Sequence, residues 1–153
     1  MEFSKDTKIG KIFVEEENGF ITRLGFSGGN SPAREGAEEP PVVKKAFEEL
    51  DMYLEGRLKK FTVPIKPEGT EFQKTVWQNL MKIPYGETAT YREIAIRSGN
   101  SRAVRAVGAA NNRNPIAIII PCHRVIGADG KIRGYAGGAK IKEALLKIEG
   151  AAF

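Results

Sequence analysis

The sequence predicts an α/β N-terminal domain, a small antiparallel sheet with one helix, followed by a mainly α C-terminal domain that carries a helix-turn-helix. Three observations predict it. Two β-like runs flank an Asn18-Gly19 pair. One amphipathic helix follows them. Past a Pro- and Gly-containing stretch ending near residue 68, the apolar spacing becomes almost wholly helical. The domains are therefore expected at residues 1–68 and 69–153.

Residues 8–15 carry Ile12, Phe13 and Val14, and residues 19–26 carry Phe20, Ile21, Leu24 and Phe26. Asn-Gly between two such runs favours a tight hairpin, because both residues tolerate positive φ. Ser27 to Pro41 is rich in Gly, Pro, Ser and Glu and reads as a loop. Val42 to Leu58 reads as a helix, with Val43, Phe47, Leu50, Tyr53 and Leu54 spaced by threes and fours. A short strand is expected around Phe61–Val63, and Pro64–Gly69 reads as a linker.

Thr70 and Gln73 make a capping-box pattern ahead of Phe72, Val76, Trp77, Leu80 and Met81. Pro84-Tyr85-Gly86 ends that helix. Thr90 and Glu93 open another from Tyr91 to about Ser98. Gly99-Asn100 turns the chain, and Ser101 is expected to cap a third helix through about Asn111. Two short helices joined by a Gly-containing turn make the helix-turn-helix pattern. Ile116–Ile120 is strand-sized and leads into Pro121-Cys122-His123-Arg124. Ala128–Lys131 reads as a reversal, Arg133–Gly138 as a loop, and Ala139–Glu149 as a final helix with Ile141, Leu145, Leu146 and Ile148 inward.

Across 153 residues, 41% hydrophobic and 28% charged composition is that of an ordinary globular chain with a real core. No apolar run approaches the roughly 20 residues a membrane span needs. The N-terminus lacks an apolar signal region, so an intracellular, cytoplasmic protein is expected. Residues 1–70 hold 11 Lys+Arg against 13 Asp+Glu, a net of −2; residues 71–153 hold 13 against 6, a net of +7. That asymmetry fits an anionic partner for the second half, or simply solvated lysines.

The chain has one Cys and one His, and they are neighbours, Cys122 and His123. A Cys-rich metal site is excluded on that count. A lone Cys is most often an inert buried thiol. Three features favour a reactive one: Pro121 forces a turn, His123 can move a proton, and Arg124 brings positive charge. Ser101-Arg102-Ala103-Val104-Arg105-Ala106-Val107-Gly108 is dense in small residues. An ordinary helix is about 10–12 Å across and the DNA minor groove about 6 Å wide. Only a helix face stripped to Ala and Gly can press into that groove. Close helix–helix packing would want the same residues.

Pro121-Cys122-His123-Arg124-Val125-Ile126 resembles the active-site signature of the O6-alkylguanine-DNA alkyltransferases. The similarity runs from about Phe72 to Gly150. It includes Pro84-Tyr85-Gly86-Glu87, Thr90-Tyr91, Arg105-Ala106-Val107-Gly108, Asn114-Pro115, Tyr135-Ala136-Gly137-Gly138 and Lys142 to Glu149-Gly150. The first 70 residues fit that family's variable N-terminal domain loosely.

The resemblance implies a single-turnover DNA repair protein. It would flip an alkylated guanine out of the duplex and keep the O6-alkyl group on its own cysteine. O4-alkylthymine is a further substrate to consider. Carried over, Cys122 is the nucleophile, His123 takes its proton through a water, and Glu149 orients His123. Asn114 ties the active-site turn, Tyr91 gives a proton to the departing guanine, and Lys142 lies near O6. Arg105 enters the base stack, with Ser101, Arg102, Val104, Ala106 and Gly108 on the same DNA-facing segment. Tyr135, Ala136 and Val125 line the substrate pocket. Many relatives have Ser where this chain has Ala136, so one contact to the base edge is lost. Some hold zinc in the N-terminal domain, for which this chain lacks ligands. No cofactor or metal is implied, and the protein is expected to be a monomer acting on double-stranded DNA, with no membrane partner. A non-transferring relative would replace the cysteine. A thiol hydrolase would leave the basic Ala/Gly helix without a purpose.

Overall fold

The computed structural model describes residues 2–26, 38–132, 135 and 137–153. Strands β1 (Glu2–Thr7), β2 (Gly10–Glu17) and β3 (Phe20–Phe26) form an antiparallel sheet in that order. Asn18 and Gly19 have φ of 52° and 83°, and Glu17 pairs with Phe20. This is the two-residue hairpin the Asn-Gly pair predicts. The second strand runs two residues later than expected, and β1 was not expected at all. Glu2–Thr7 holds one large apolar side chain, Phe3, so its alternation is nearly invisible in the sequence. Phe3 is nonetheless fully buried.

Helix α1 (Pro41–Leu54) starts with proline in its first turn, where the missing N–H costs nothing. It ends four residues before the expected Leu58. Gly56 takes φ 76°, its N–H bonds Tyr53 C=O, and Arg57 N–H bonds Met52 C=O, a glycine-terminated helix end. Most of the expected loop before α1 lies outside the described residues. The strand expected at Phe61–Val63 does not form. The N–H groups of Thr62 and Val63 go instead to the buried carboxylate of Glu49, at 3.0 Å each. Pairing occurs slightly later, where Ile21 and Ile65 bridge.

Helix α2 (Glu71–Leu80) carries the complete capping box, Gln73 N–H to Thr70 Oγ1 at 3.1 Å and Thr70 N–H to Gln73 Oε1 at 2.9 Å. Strand β4 (Ala89–Thr90) leads into α3 (Tyr91–Arg97), capped by Thr90 Oγ1. Gly99 (φ 94°) and Asn100 close α3 by bonding Ile96 and Ala95 C=O. Helix α4 (Val104–Asn112) begins later than expected. Ser101 does not cap it. Asn100 shapes the turn instead, its side chain accepting Arg102 N–H at 3.0 Å and its C=O accepting Ala103 N–H. Ser101 and Arg102 thus sit in the turn, ahead of the helix.

Ile116–Ile120 is not a strand. Only Ile116 bridges Leu24, after which the chain makes two three-residue turns of opposite hand. Ile119 N–H bonds Ala117 C=O at 2.8 Å across Ile118, whose φ is 72°. Cys122 N–H bonds Ile120 C=O at 2.8 Å across Pro121, at φ −81° and ψ 63°. These are a γ-turn of the rare hand and an inverse γ-turn. A 3-10 turn (Cys122–Arg124) follows, then β5 (Val125–Ile126), parallel to β4. Helix α5 (Ala139–Ile148) ends the chain's regular structure. One apolar core runs through both halves, joining Ile12, Ile21 and Leu24 to Tyr53, Trp77, Ile116 and Leu145.

Candidate active site

The β4–β5 pairing sets Thr90 beside Ile126, so Tyr91 begins α3 next to the Cys122 turn. Helix α5 packs on that turn from the other side and brings Lys142 and, at its end, Glu149. Cys122 is 5% exposed. Burial pushes its thiol up to about 11; a hydrogen bond from Asn114 and the charge of Lys142 pull the other way and do not prevail. The resting sulfur is therefore protonated at neutral pH, and a base is required to make the nucleophile.

That base has a defined form. Glu149 is buried, and burial alone would raise its pKa. Hydrogen bonds from His123, Arg124 and Tyr53 outweigh burial and bring it down to about 2. An ionised carboxylate only accepts. The 2.7 Å contact between His123 Nε2 and Glu149 Oε2 therefore has the proton on Nε2. Burial also holds the imidazole's pKa below its ordinary value, against the pull of Glu149, so His123 is neutral. Its Nδ1 is buried and meets no hydrogen-bonding partner among the described residues. Nδ1 is thus the basic atom.

Arg124 does not do what the sequence suggested. Its Nε and Nη2 donate to Glu149 at 2.8 and 3.1 Å, and Nη1 donates to Ile83 C=O at 2.6 Å. The guanidinium neutralises Glu149, and the cation felt by the thiol is Lys142. Lys142 is fully buried, and burial brings its pKa down to about 8. Its ammonium lies 5.9 Å from the Tyr91 ring centre. A cation on that face eases departure of the phenol proton.

Asn114 spans the Cys122 loop: its Nδ2 donates to Ile120 C=O at 2.8 Å and its Oδ1 accepts Ile116 N–H at 3.0 Å. Gly86 N–H donates to Glu149 Oε1 at 3.2 Å. A Cβ on Gly86 would meet Glu149 C=O at 3.1 Å, and its φ is 81°. Glycine is needed there on both counts. The Tyr135 ring packs 5.7 Å from Phe26, with its hydroxyl buried. Ala136 lies outside the described residues. Val125 is fully buried, paired with Ala89, and belongs to the core.

Two buried groups escaped sequence reading, one in this cluster and one outside it. Tyr53 was legible only as part of the α1 core face. Its hydroxyl donates to Glu149 Oε2 at 2.5 Å and lies 3.3 Å from His123 Nε2. The only signal was general: a buried tyrosine hydroxyl needs a partner. Glu49, which organises Thr62 and Val63, read as part of a solvated helix face.

The α3–α4 pair presents a different surface. Val107 and Ala110 face inward, and Trp77 Nε1 donates to Ala110 C=O at 2.9 Å. Ser101, Arg102, Val104, Arg105, Ala106 and Ala109 are exposed. A Cβ on Gly108 would meet nothing within 4 Å. Internal packing therefore does not account for glycine at that position.

Two family models match the chain: "6-O-methylguanine DNA methyltransferase, ribonuclease-like domain" over residues 4–67 and "6-O-methylguanine DNA methyltransferase, DNA binding domain" over residues 71–151. A methylated-DNA–protein-cysteine methyltransferase of Methanosarcina barkeri is 51% identical over 148 residues, covering 94% of this chain and 93% of that one. One from Mycobacterium leprae is 46% identical over 148 residues, covering 95% and 90%. Among solved structures, Mycobacterium tuberculosis OGT in complex with DNA superposes with a TM-score of 0.88 at 43% identity, over 97% of this chain and 92% of that chain. A Methanococcus jannaschii O6-methylguanine DNA methyltransferase gives 0.73 at 27% identity, over 99% and 95%.

Proposed function

Because the chain belongs to the 6-O-methylguanine DNA methyltransferase family, we propose that it repairs O6-alkylguanine in double-stranded DNA by moving the alkyl group onto Cys122, once per molecule. The observation that carries the reading is the buried Cys122 thiol beside a neutral His123 whose Nε2 proton is committed to Glu149. Sγ gives its proton to Nδ1, through a water in the family's manner. The new thiolate attacks the alkyl carbon. The S–C bond forms as the C–O6 bond breaks, and the electron pair goes to the purine. Tyr91 supplies the proton that makes guanine a neutral leaving group, with Lys142 over its ring. The thioether is inert, and the chain has no second thiol to remove the alkyl group. Each molecule is expected to gain one methyl mass after incubation with duplex DNA containing O6-methylguanine, located on Cys122 by peptide mapping. Repeated turnover would refute this.

The two domains divide the work at residues 1–68 and 69–153, a division supported by the two family-model spans. The α3–α4 pair acts as a helix-turn-helix, and α4 lies in the minor groove with Arg105, Ala106 and Gly108 toward the DNA. Arg102 and Ser101 approach from the preceding turn, and Val104 completes the exposed face. The protein works as a monomer on this reading. The open space at Gly108 and the exposed Ala/Arg face support the groove placement of α4. Flipping a base costs on the order of a few kcal/mol, and Arg105 offsets part of that by filling the vacated stack. Arg105→Ala is expected to slow alkylation by duplex DNA roughly tenfold or more and to leave reaction with free O6-benzylguanine near normal. Ala106→Leu should behave alike, by adding bulk to the groove-facing surface. Timing Cys122 alkylation with each substrate checks both; equal losses on the two substrates would move the DNA face elsewhere.

A further inference from the structure

We propose that Tyr53 is a positioning residue for this reaction, through which the N-terminal helix α1 holds the His123–Glu149 pair in its reactive tautomer. Tyr53 is 1% exposed and its ring is fixed by Phe61 and Tyr85, with centroids 5.4 and 6.2 Å away. Its hydroxyl donates to Glu149 Oε2 at 2.5 Å. Its one proton is thereby committed, so its oxygen can only accept from His123 Nε2, at 3.3 Å. The Nε2 proton then lies between two acceptors, Glu149 Oε2 and Tyr53 Oη. Both favour the Nε2–H tautomer and leave Nδ1 as the base. The hydroxyl also remains un-ionised, because burial and the neighbouring Glu149 charge raise its pKa far above the ordinary value. It is a permanent donor to Glu149. The catalytic half alone supplies His123, Arg124 and Gly86 to that carboxylate; the remaining donor crosses from the other half of the chain.

This inference rests on the alkyl-transfer reading, and the test separates the two. Tyr53→Phe keeps the ring and removes only the hydroxyl. Alkylation by free O6-benzylguanine and by duplex DNA should slow equally, by roughly tenfold, the size of one lost hydrogen bond to a charged group. The chain's only histidine is His123, so its two ring nitrogens give an unambiguous NMR signature. The unchanged chain should show the Nε2–H tautomer with a slowly exchanging ring proton. In Tyr53→Phe that proton should exchange faster and the two nitrogen shifts should approach each other. A wild-type Nδ1–H tautomer would overturn the proposal without any variant. So would a Tyr53→Phe protein that reacts at the wild-type rate, or one that slows with an unchanged ring signature, which would mark a packing role. Failure of the unchanged chain to react at all would overturn the alkyl-transfer reading and this inference with it.

Discussion

Cys122→Ala protein is expected to gain no mass from duplex DNA containing O6-methylguanine, while binding that DNA with nearly unchanged affinity. The loss is total because no other thiol exists in the chain to take the methyl group. The fold should survive. A small buried side chain is shortened by one atom, at about 1 kcal/mol. The proposed DNA-facing residues, Arg105 and Ala106, lie on an exposed helix face. Intact-mass spectrometry and a gel-shift titration check the two halves of this expectation. A methyl group found on any other residue would contradict it.

Glu149→Gln should do nearly as much damage by another route. The carboxylate takes hydrogen bonds from His123, Arg124, Tyr53 and Gly86, all donors. Gln supplies one acceptor oxygen and one NH2, so at least one donor faces a donor. Arg124 loses its counter-charge while 8% exposed. Breaking a buried pair in this way costs about 3–5 kcal/mol. In a chain of this size that is a drop of about 10 °C or more in Tm. His123 loses the acceptor that fixes its tautomer, so alkylation measured well below Tm should fall at least about 100-fold, within the usual span of a general base. The pH dependence distinguishes the variant further. Glu149 has a depressed native pKa, about 2, so its stabilisation is full above the unfolded value near 4.3 and is lost as pH falls from there through 2. That span corresponds to about 3 kcal/mol. His123, also depressed, gives a second loss that begins as pH falls below about 6.5, where the unfolded imidazole takes a proton that the buried one refuses. Acid melts of the two proteins should share the onset near about pH 6.5, with the His123 loss extending further in Glu149→Gln because the carboxylate's upward pull on the imidazole is gone, and Glu149→Gln should lack the loss that sets in below about 4.3.

The hairpin at Asn18-Gly19 and the cap at Thr70 were readable because each is written in two or three adjacent residues with one good conformation. The signature around Cys122 was readable because its residues are contiguous. What escaped was anything set by distant partners. β1 has too little apolar alternation to announce itself, yet Phe3 is buried once β2 is beside it. Thr62 and Val63 looked like a strand, but a carboxylate on α1 took their N–H groups first. Ile116–Ile120 has a strand's composition and is bent by Asn114, whose side chain holds the backbone at both ends of the loop. Adjacency in sequence makes Arg124 look like the thiol's cation; in space it belongs to Glu149. Tyr53 lies 70 residues from His123, and no local pattern connects them.

The two γ-turns ahead of Cys122 decide which molecule moves. A β-branched residue such as Ile118 at φ 72° is unfavourable by about 1–3 kcal/mol and persists only where its surroundings leave no alternative. Ile118 is 1% exposed, and Asn114 ties the strand bridge on one side to Ile120 on the other. The freedom of that segment is surrendered when the chain folds, long before any lesion arrives. The sulfur is therefore a stationary target with a short, stiff tether. Reaching it through a change in protein shape would mean undoing the turns. On the proposed reading the displacement falls to the substrate: a guanine has to leave its stack and travel to the thiol.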